Sequence, residues 1–296
     1  MVAVEAPSNM GKTRRAGTVG VALRLLLANP LGMLGLVTVV VIILAAVFAQ
    51  WLAPYDPTRI MAGPRLAPPS LDHWLGTDQI GRDVFSRVLV GGQIALQVAL
   101  ASISAALTLG LALGLLAGFG PRWLDNIIML LFDTVRSFPV VIFGLATVTV
   151  IGPSLATIIL IVVVTSIPTF GRVARTQTMA MRNDEFILAE RAMGAGTARI
   201  LAVHVLPNII GPLLILASMD IPVVITIEAG LSFLGVGVPP PAPSWGSILN
   251  DGFSFIRNTP WPVIAGGIPL ILTTLAFTFL GEALRDIFDP KLRRDV

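Results

Sequence analysis

Residues 137–171 read SFPVVIFGLATVTVIGPSLATIILIVVVTSIPTFG, 35 positions without an Asp, Glu, Lys or Arg. An α-helix needs roughly 20 apolar residues to cross the hydrocarbon core of a bilayer. The run is too long for one crossing, and Gly152-Pro153 inside it is a turn signal. We therefore read two spans here, over residues 126–151 and 154–170. Outward in both directions the pattern repeats. Charge-free runs at 25–55 and 88–121 place spans at about 31–52 and 92–119. A fifth covers 209–236, interrupted by Asp220 and Glu228, and a sixth covers 263–281. The expectation is an all-α integral membrane protein with six transmembrane helices: a tail of residues 1–29, then one membrane domain over 30–296. No internal repeat is evident.

Composition points the same way. Hydrophobic residues make up 55% of the 296, and charged residues only 12%, against about 25% in soluble domains. Lipid is the solvent that such a surface requires. There is no cysteine, which excludes disulfides and thiolate metal sites. The two histidines, His73 and His204, exclude a histidine-rich metal site. The first apolar stretch, residues 31–47, is longer than the core of a signal peptide, so cleavage near Ala49 is not expected. No GxxxxGK[ST] run is present to cradle a phosphate.

Basic residues orient the chain. With the amino terminus inside, the inner segments carry Lys12, Arg14, Arg15, Arg24, Arg122, Arg172, Arg175, Arg182, Arg191, Arg199, Arg285, Lys291, Arg293 and Arg294. The outer segments carry only Arg59, Arg65, Arg82, Arg87 and Arg257. Both termini are expected to be cytoplasmic.

Three polar segments are too long to be plain connectors. Residues 53–90, outside, open with Pro54, Pro57, Pro64, Pro68 and Pro69, which favour extended chain. Farther on, Val84, Phe85, Val88 and Leu89 share a helical face, with Arg82, Ser86 and Arg87 largely off it. That pattern suits a short helix lying in the outer interface, or a solvated loop. Residues 171–207, inside, form a helical hairpin. Asn183 is positioned to cap its first helix, with Asp184 and Glu185 in the first turn; Gly194 and Gly196 end it, and Thr197 can cap a second helix. Phe186, Ala189 and Met193 form an apolar stripe that either packs under the membrane or docks into a partner's groove. Residues 238–261, outside, contain Pro239-Pro240-Pro241-Ala242-Pro243, with Trp245, Phe253 and Trp261 suited to the headgroup level. A re-entrant or interfacial turn fits there.

Charges inside spans are the other informative class. Asp133 and Arg136 are three apart on the third span and can pair on one face. Asp220 and Glu228 are eight apart on the fifth and share a face. Such groups either line a wet path and its gate or join helices structurally, for instance Arg136 with an acid of the fifth span. Pro139, Pro168, Pro212, Pro222 and Pro269 lie in or beside spans, as hinges or static kinks.

The three polar segments together carry a family resemblance. His73-Trp74-Leu75-Gly76-Thr77-Asp78, Gly81-Arg82-Asp83, Ser86-Arg87 and Gly91 resemble the signature before the second span of the C-type permeases of bacterial dipeptide/oligopeptide/nickel ABC importers. Residues 228–237 (EAGLSFLGVG) with Pro239-Pro240, Pro243-Ser244-Trp245-Gly246 resemble that family's fifth span and outer loop, and residues 280–286 with Asp289-Pro290 its carboxyl end. The hairpin resembles the EAA loop of such permeases at Ala189, Gly194, Leu206 and Pro207. It departs at Leu188, where the first Glu is common, and at Glu190, where the second Ala is common.

The resemblance implies a type I ABC importer permease in the bacterial inner (plasma) membrane, forming half of a translocation path. It implies a second homologous permease, two ATPase subunits that bind ATP and Mg, and an extracytoplasmic substrate-binding protein. It implies no catalytic residue, cofactor or metal in this chain, and no nucleic-acid partner. The ATPase-coupling hairpin then comprises Glu185, Phe186, Ala189, Glu190, Arg191, Met193, Gly194, Gly196, Leu206 and Pro207, with Phe186, Met193 and Ile200 as apolar anchors and Arg191 and Arg199 as polar contacts. Asp133, Arg136, Asp220 and Glu228 are the candidates for path or gate. Di- and oligopeptides are the expected cargo, with nickel, glutathione or another small solute as the alternative. The alternative from another class is an ion-driven secondary transporter; those often show paired repeats, and none is evident here. A membrane-embedded enzyme would need a clustered acid, base or metal set, and the two histidines fall on opposite sides of the expected topology.

Overall fold

The computed structural model describes residue 26 and residues 29–288. Most of the expected N-terminal tail, with Lys12, Arg14, Arg15 and Arg24, lies outside the described residues, as do Asp289-Pro290, Lys291, Arg293 and Arg294. The described chain is helical: α1 (Pro30–Val47), α2 (Ala49–Leu52), α3 (Val84–Phe119), α4 (Arg122–Ser137), α5 (Val140–Ile151), α6 (Leu155–Met181), α7 (Glu185–Ala192), α8 (Thr197–Ile200), α9 (Leu206–Phe233), α10 (Trp245–Ser254) and α11 (Trp261–Phe288). A π-helical turn, Leu201–Val205, fuses α8 to α9. Among the described residues the only β pairing is the isolated bridge Thr77–Asp83.

Among the described residues, five segments are long and apolar enough to cross a membrane: α1, α3, α6, the run Thr197–Phe233 and α11. Helices α4 and α5 pass the same test only when taken together, which would make six, and they bend by 90° at a short break. The third span is therefore not the single helix expected over 126–151. Pro139 lacks an N–H and holds Phe138 in extended backbone, φ −90° and ψ 129°, so the helix cannot run through. The chain turns again at Gly152, whose φ of +99° costs a residue without Cβ little. Ser154 then caps α6 by accepting from the Thr157 amide at 3.1 Å.

The helices meet over small residues. Gly110, Gly114 and Gly118 recur every fourth position on α3 and face α6. A Cβ at Gly114 would lie 2.5 Å from the Gly171 carbonyl oxygen and 2.6 Å from the Ala174 Cβ. In lipid, where apolar side chains gain little by leaving the solvent, this close backbone approach is what dispersion can use. Gly35 does the same for α1, with the Ala276 carbonyl and the Leu280 amide of α11 each 2.8 Å from where its Cβ would stand. Larger residues such as Leu34, Val41 and Leu44 point outward. The central core runs from Ala95 and Val98 on α3 through Ile158 and Phe170 on α6 to Leu213 and Ile225 on α9.

Two expected boundaries shift. The helix over the second span begins at Val84, with no separate interfacial helix before it, because Asp83 caps it by accepting from the Ser86 amide at 2.8 Å. Helix α6 continues eleven residues beyond Phe170, to Met181, because Arg172 and Arg175 find acids on α4 and need not leave the bundle.

At the Val84 end of α3, the polar segments close into a cap. Asp78 accepts from Arg82 Nε at 2.5 Å and from Arg87 Nη1, and Asp251 of α10 lies 3.2 Å from Nη2 of both arginines. Asp83 also meets His73 Nδ1 at 2.9 Å. Ser86 and Arg87, expected to face the headgroups or solvent, are thus buried. Trp245 donates from Nε1 to the Val88 carbonyl at 2.9 Å, and Asn250 to the Phe233 carbonyl at 2.7 Å, which ties α10 to α3 and α9.

Candidate functional site: the hairpin and the mid-span charges

At the opposite end of α3, the chain leaves α6 and forms the hairpin. Helix α7 starts after Asp184, which takes the N-cap position in place of Asn183 but makes no side-chain cap bond. It ends in a Schellman turn: the Gly194 amide donates to the Arg191 carbonyl at 2.9 Å and the Ala195 amide to the Glu190 carbonyl at 3.0 Å, with Gly194 at φ +86°. Gly196, not Thr197, is the N-cap of α8.

One face of the hairpin is anchored. Ile187 and Ile200 are fully buried in the central core beside Val205 and Ile209. Ile200 therefore holds the hairpin to its own bundle and is not an anchor for a partner. Arg191 sits over the Phe119 ring with its guanidinium carbon 4.6 Å from the centroid, and Arg182 lies over the same ring at 6.0 Å. Glu190 approaches His204 Nε2 at 3.3 Å. Glu190, the departure from the EAA pattern, thus joins α7 to the π turn.

The other face is open. Phe186 is 44% exposed, Met193 75%, and Glu185, Ala189, Gly194 and Gly196 are exposed with them. Nothing lies within 4 Å of where a Cβ at Gly194 or Gly196 would stand. Leu206 is half-buried and Pro207 exposed at the start of α9. The result is a short rigid helix, pinned from behind, presenting an apolar stripe.

The mid-span charges pair differently from expectation. Asp133 forms its ion pair with Arg172 of α6, not with Arg136. Asp125, one turn into α4, pairs with Arg175 of α6, its Oδ2 lying 2.6 Å from Nη2. These two bridges lie along one edge of the α4–α6 contact. Sequence reading missed them, although Asp125 and Asp133 are eight apart and Arg172 and Arg175 three apart, spacings that place each pair on one face. Arg136 donates to Thr169 Oγ1 at 3.2 Å instead of meeting an acid of the fifth span. Asp220 and Glu228 share α9 but not an environment. Glu228 is fully buried and accepts from Ser232 at 2.7 Å, whereas Asp220 borders a cavity of about 400 Å3 that Arg136 also lines. Among the described residues no three His, Asp or Glu side chains gather as a metal site.

Comparison with known proteins agrees with this architecture. Residues 110–294 match the family model described as the binding-protein-dependent transport system inner membrane component, and residues 19–69 match the N-terminal transmembrane domain of oligopeptide transport permease C. The chain is 37% identical to the dipeptide transport system permease protein DppC of Alkalihalophilus pseudofirmus over 92% of this chain and 90% of that protein. It is 38% identical to the glutathione transport system permease protein GsiD of Escherichia coli O6:K15:H31, covering 86% and 84%. A putative peptide permease of Brucella suis is also 38% identical, covering 90% and 88%. Among solved structures, the inward-facing MetNI methionine ABC transporter superposes with a TM-score of 0.54 at 19% identity, over 66% of this chain and 94% of that one.

The fold with its projecting hairpin is that of a type I ABC importer permease. The chain belongs to the family of binding-protein-dependent transport system inner membrane components, and is a multi-pass inner-membrane transport subunit.

Proposed function

We propose that this chain forms half of a translocation path for di- and oligopeptides. It would pair with a second homologous permease and couple through its hairpin to two ATPase subunits that bind ATP and Mg. An extracytoplasmic binding protein would deliver the cargo. The observation that carries the coupling role is α7, held from behind by Ile187 and Arg191 while Phe186 and Met193 face outward. A helix so pinned transmits a push to α6 and α9 where a loose loop would absorb it. The apolar stripe suits a helix-in-groove contact on the ATPase. Peptide cargo is supported by the names of the relatives from Alkalihalophilus pseudofirmus and Brucella suis. Glutathione, named for the Escherichia coli relative, is the second reading.

Gly194 supplies the test. Its φ of +86° strains any side chain, by about 1–2 kcal/mol, but no atom of this chain fills the space beside it. Gly194→Ala and Gly194→Trp therefore share the strain and differ only in what a partner meets. In vesicles carrying the assembled importer, Gly194→Ala is expected to keep most dipeptide uptake and Gly194→Trp to lose at least ~10-fold. Wild-type uptake by Gly194→Trp would remove the docking role. Uptake of glutathione but no dipeptide would replace the cargo.

A further inference from the structure

Arg136, at the end of α4, and Asp220, midway along α9, line one cavity of about 400 Å3 beside the 90° break between α4 and α5. Ser166 and Thr169 of α6 supply hydroxyls to it, and Phe138 and Val223 supply apolar walls. The contributing positions are all mid-helix or at the break, so the cavity lies near mid-span. Among the described residues Arg136 and Asp220 form no ion pair with each other. Arg136 reaches Thr169, and the Ser166 hydroxyl is the group beside Asp220. The other charged side chains of this region are engaged elsewhere, Asp133 with Arg172 and Asp125 with Arg175.

Arg136 is exposed and Asp220 half-buried, and neither neutralises the other, so both charges stay available to an incoming group. A ligand with an ammonium at one end and a carboxylate at the other would pair with both at once. The guanidinium fork matches a carboxylate in shape as well as charge. A bare metal cation would meet only Asp220 and be repelled by Arg136. The volume lies within the range of small-ligand pockets, roughly 300–1,000 Å3, and irregular backbone at membrane depth occurs where it lines a cavity.

We infer that this cavity is a transit subsite for a short peptide with free ends, Arg136 receiving its carboxylate and Asp220 its ammonium. The inference rests on the peptide reading of the preceding subsection. Binding there is weak, since cargo must leave again.

The absence of cysteine from the chain permits a direct test. Val223→Cys places a single thiol in this subunit on the cavity wall, with Arg136 and Asp220 left intact. In the assembled importer without its binding protein, a small water-soluble thiol reagent should modify that cysteine, read as a mass shift on this chain. A dipeptide should slow the modification at least ~3-fold, and its N-acetylated, C-amidated analogue should not. Adding Arg136→Gln or Asp220→Asn should abolish the protection. An unreactive cysteine, equal protection by both compounds, or protection that survives the two substitutions would overturn the subsite. If Arg136→Gln fails to assemble, the comparison of dipeptide with blocked analogue in Val223→Cys alone decides. Dipeptide uptake by the unmodified importer, measured separately, tests the peptide reading: uptake without protection removes only the subsite, and no uptake removes the cargo assignment.

Discussion

Asp78 binds two guanidiniums at once, those of Arg82 and Arg87, while only 2% exposed. Burial pushes its carboxyl up, but the Arg82 amide and the Arg87 and Arg82 guanidiniums outweigh that, and the net shift is below the ordinary 3.8. A carboxylate whose folded value is depressed contributes stability above its unfolded value, and loses it as pH falls through the folded one. The cap should therefore hold from neutral pH down to about pH 4 and loosen below it. Asp78→Asn leaves two buried arginines short of an anion and is expected to cost about 3–5 kcal/mol. It should also flatten the acid side of the stability profile. Thermal unfolding in detergent between pH 7 and pH 3, followed by tryptophan fluorescence, checks both. This network was only half legible in sequence. Arg82, Ser86 and Arg87 stand off the apolar face, but a helical wheel cannot distinguish a polar residue facing water from one facing Asp251, 164 positions beyond Arg87. Asp133 repeats the lesson: Arg136, three residues away, was the visible partner, and Arg172, 39 residues away, is the actual one.

Elements were more legible than their contacts. Long apolar runs identify helices because an unpaired backbone group in lipid costs several kcal/mol. The stripe Gly110, Gly114, Gly118 decides how two of them meet, since every Cβ added there would fall within 2.9 Å of an α6 atom. Gly114→Leu is expected to force α3 and α6 apart, costing at least about 1–3 kcal/mol. It should appear as lower thermal stability and lower yield of folded chain, while the same change at Gly211, where nothing lies within 4 Å, should be mild. The hairpin was readable as two short helices from its glycines and first-turn acids. Which face is free was not: Ile200 looks like an anchor in sequence and is buried in the bundle. The break at Pro139 was visible as a proline, but its 90° angle depends on how α5 packs on α6 and α9.

For the molecule as a whole, the cap and the hairpin occupy opposite ends of α3. From the excess of arginine near the hairpin, that end is expected to face the cytoplasm. A reporter fused after Val296 is expected to read as cytoplasmic in protease-protection or enzyme-reporter assays, and an external signal would reverse the orientation.

Several things about this protein follow from its sequence alone, because they depend on local composition: that it lives in lipid, where its long apolar helices lie, where the polar hairpin lies and which family signatures it carries. Burial of an oily run, a proline's missing donor and a glycine's freedom act within a few residues and need no partner. Only the tertiary structure decided that Asp125 and Asp133 bind α6, that Glu228 is sealed away, and that Arg136 and Asp220 face one cavity. Charges in a low-dielectric interior interact strongly with whatever helix lies beside them, and helix adjacency is set by packing across the whole bundle, which spacing along the chain does not record.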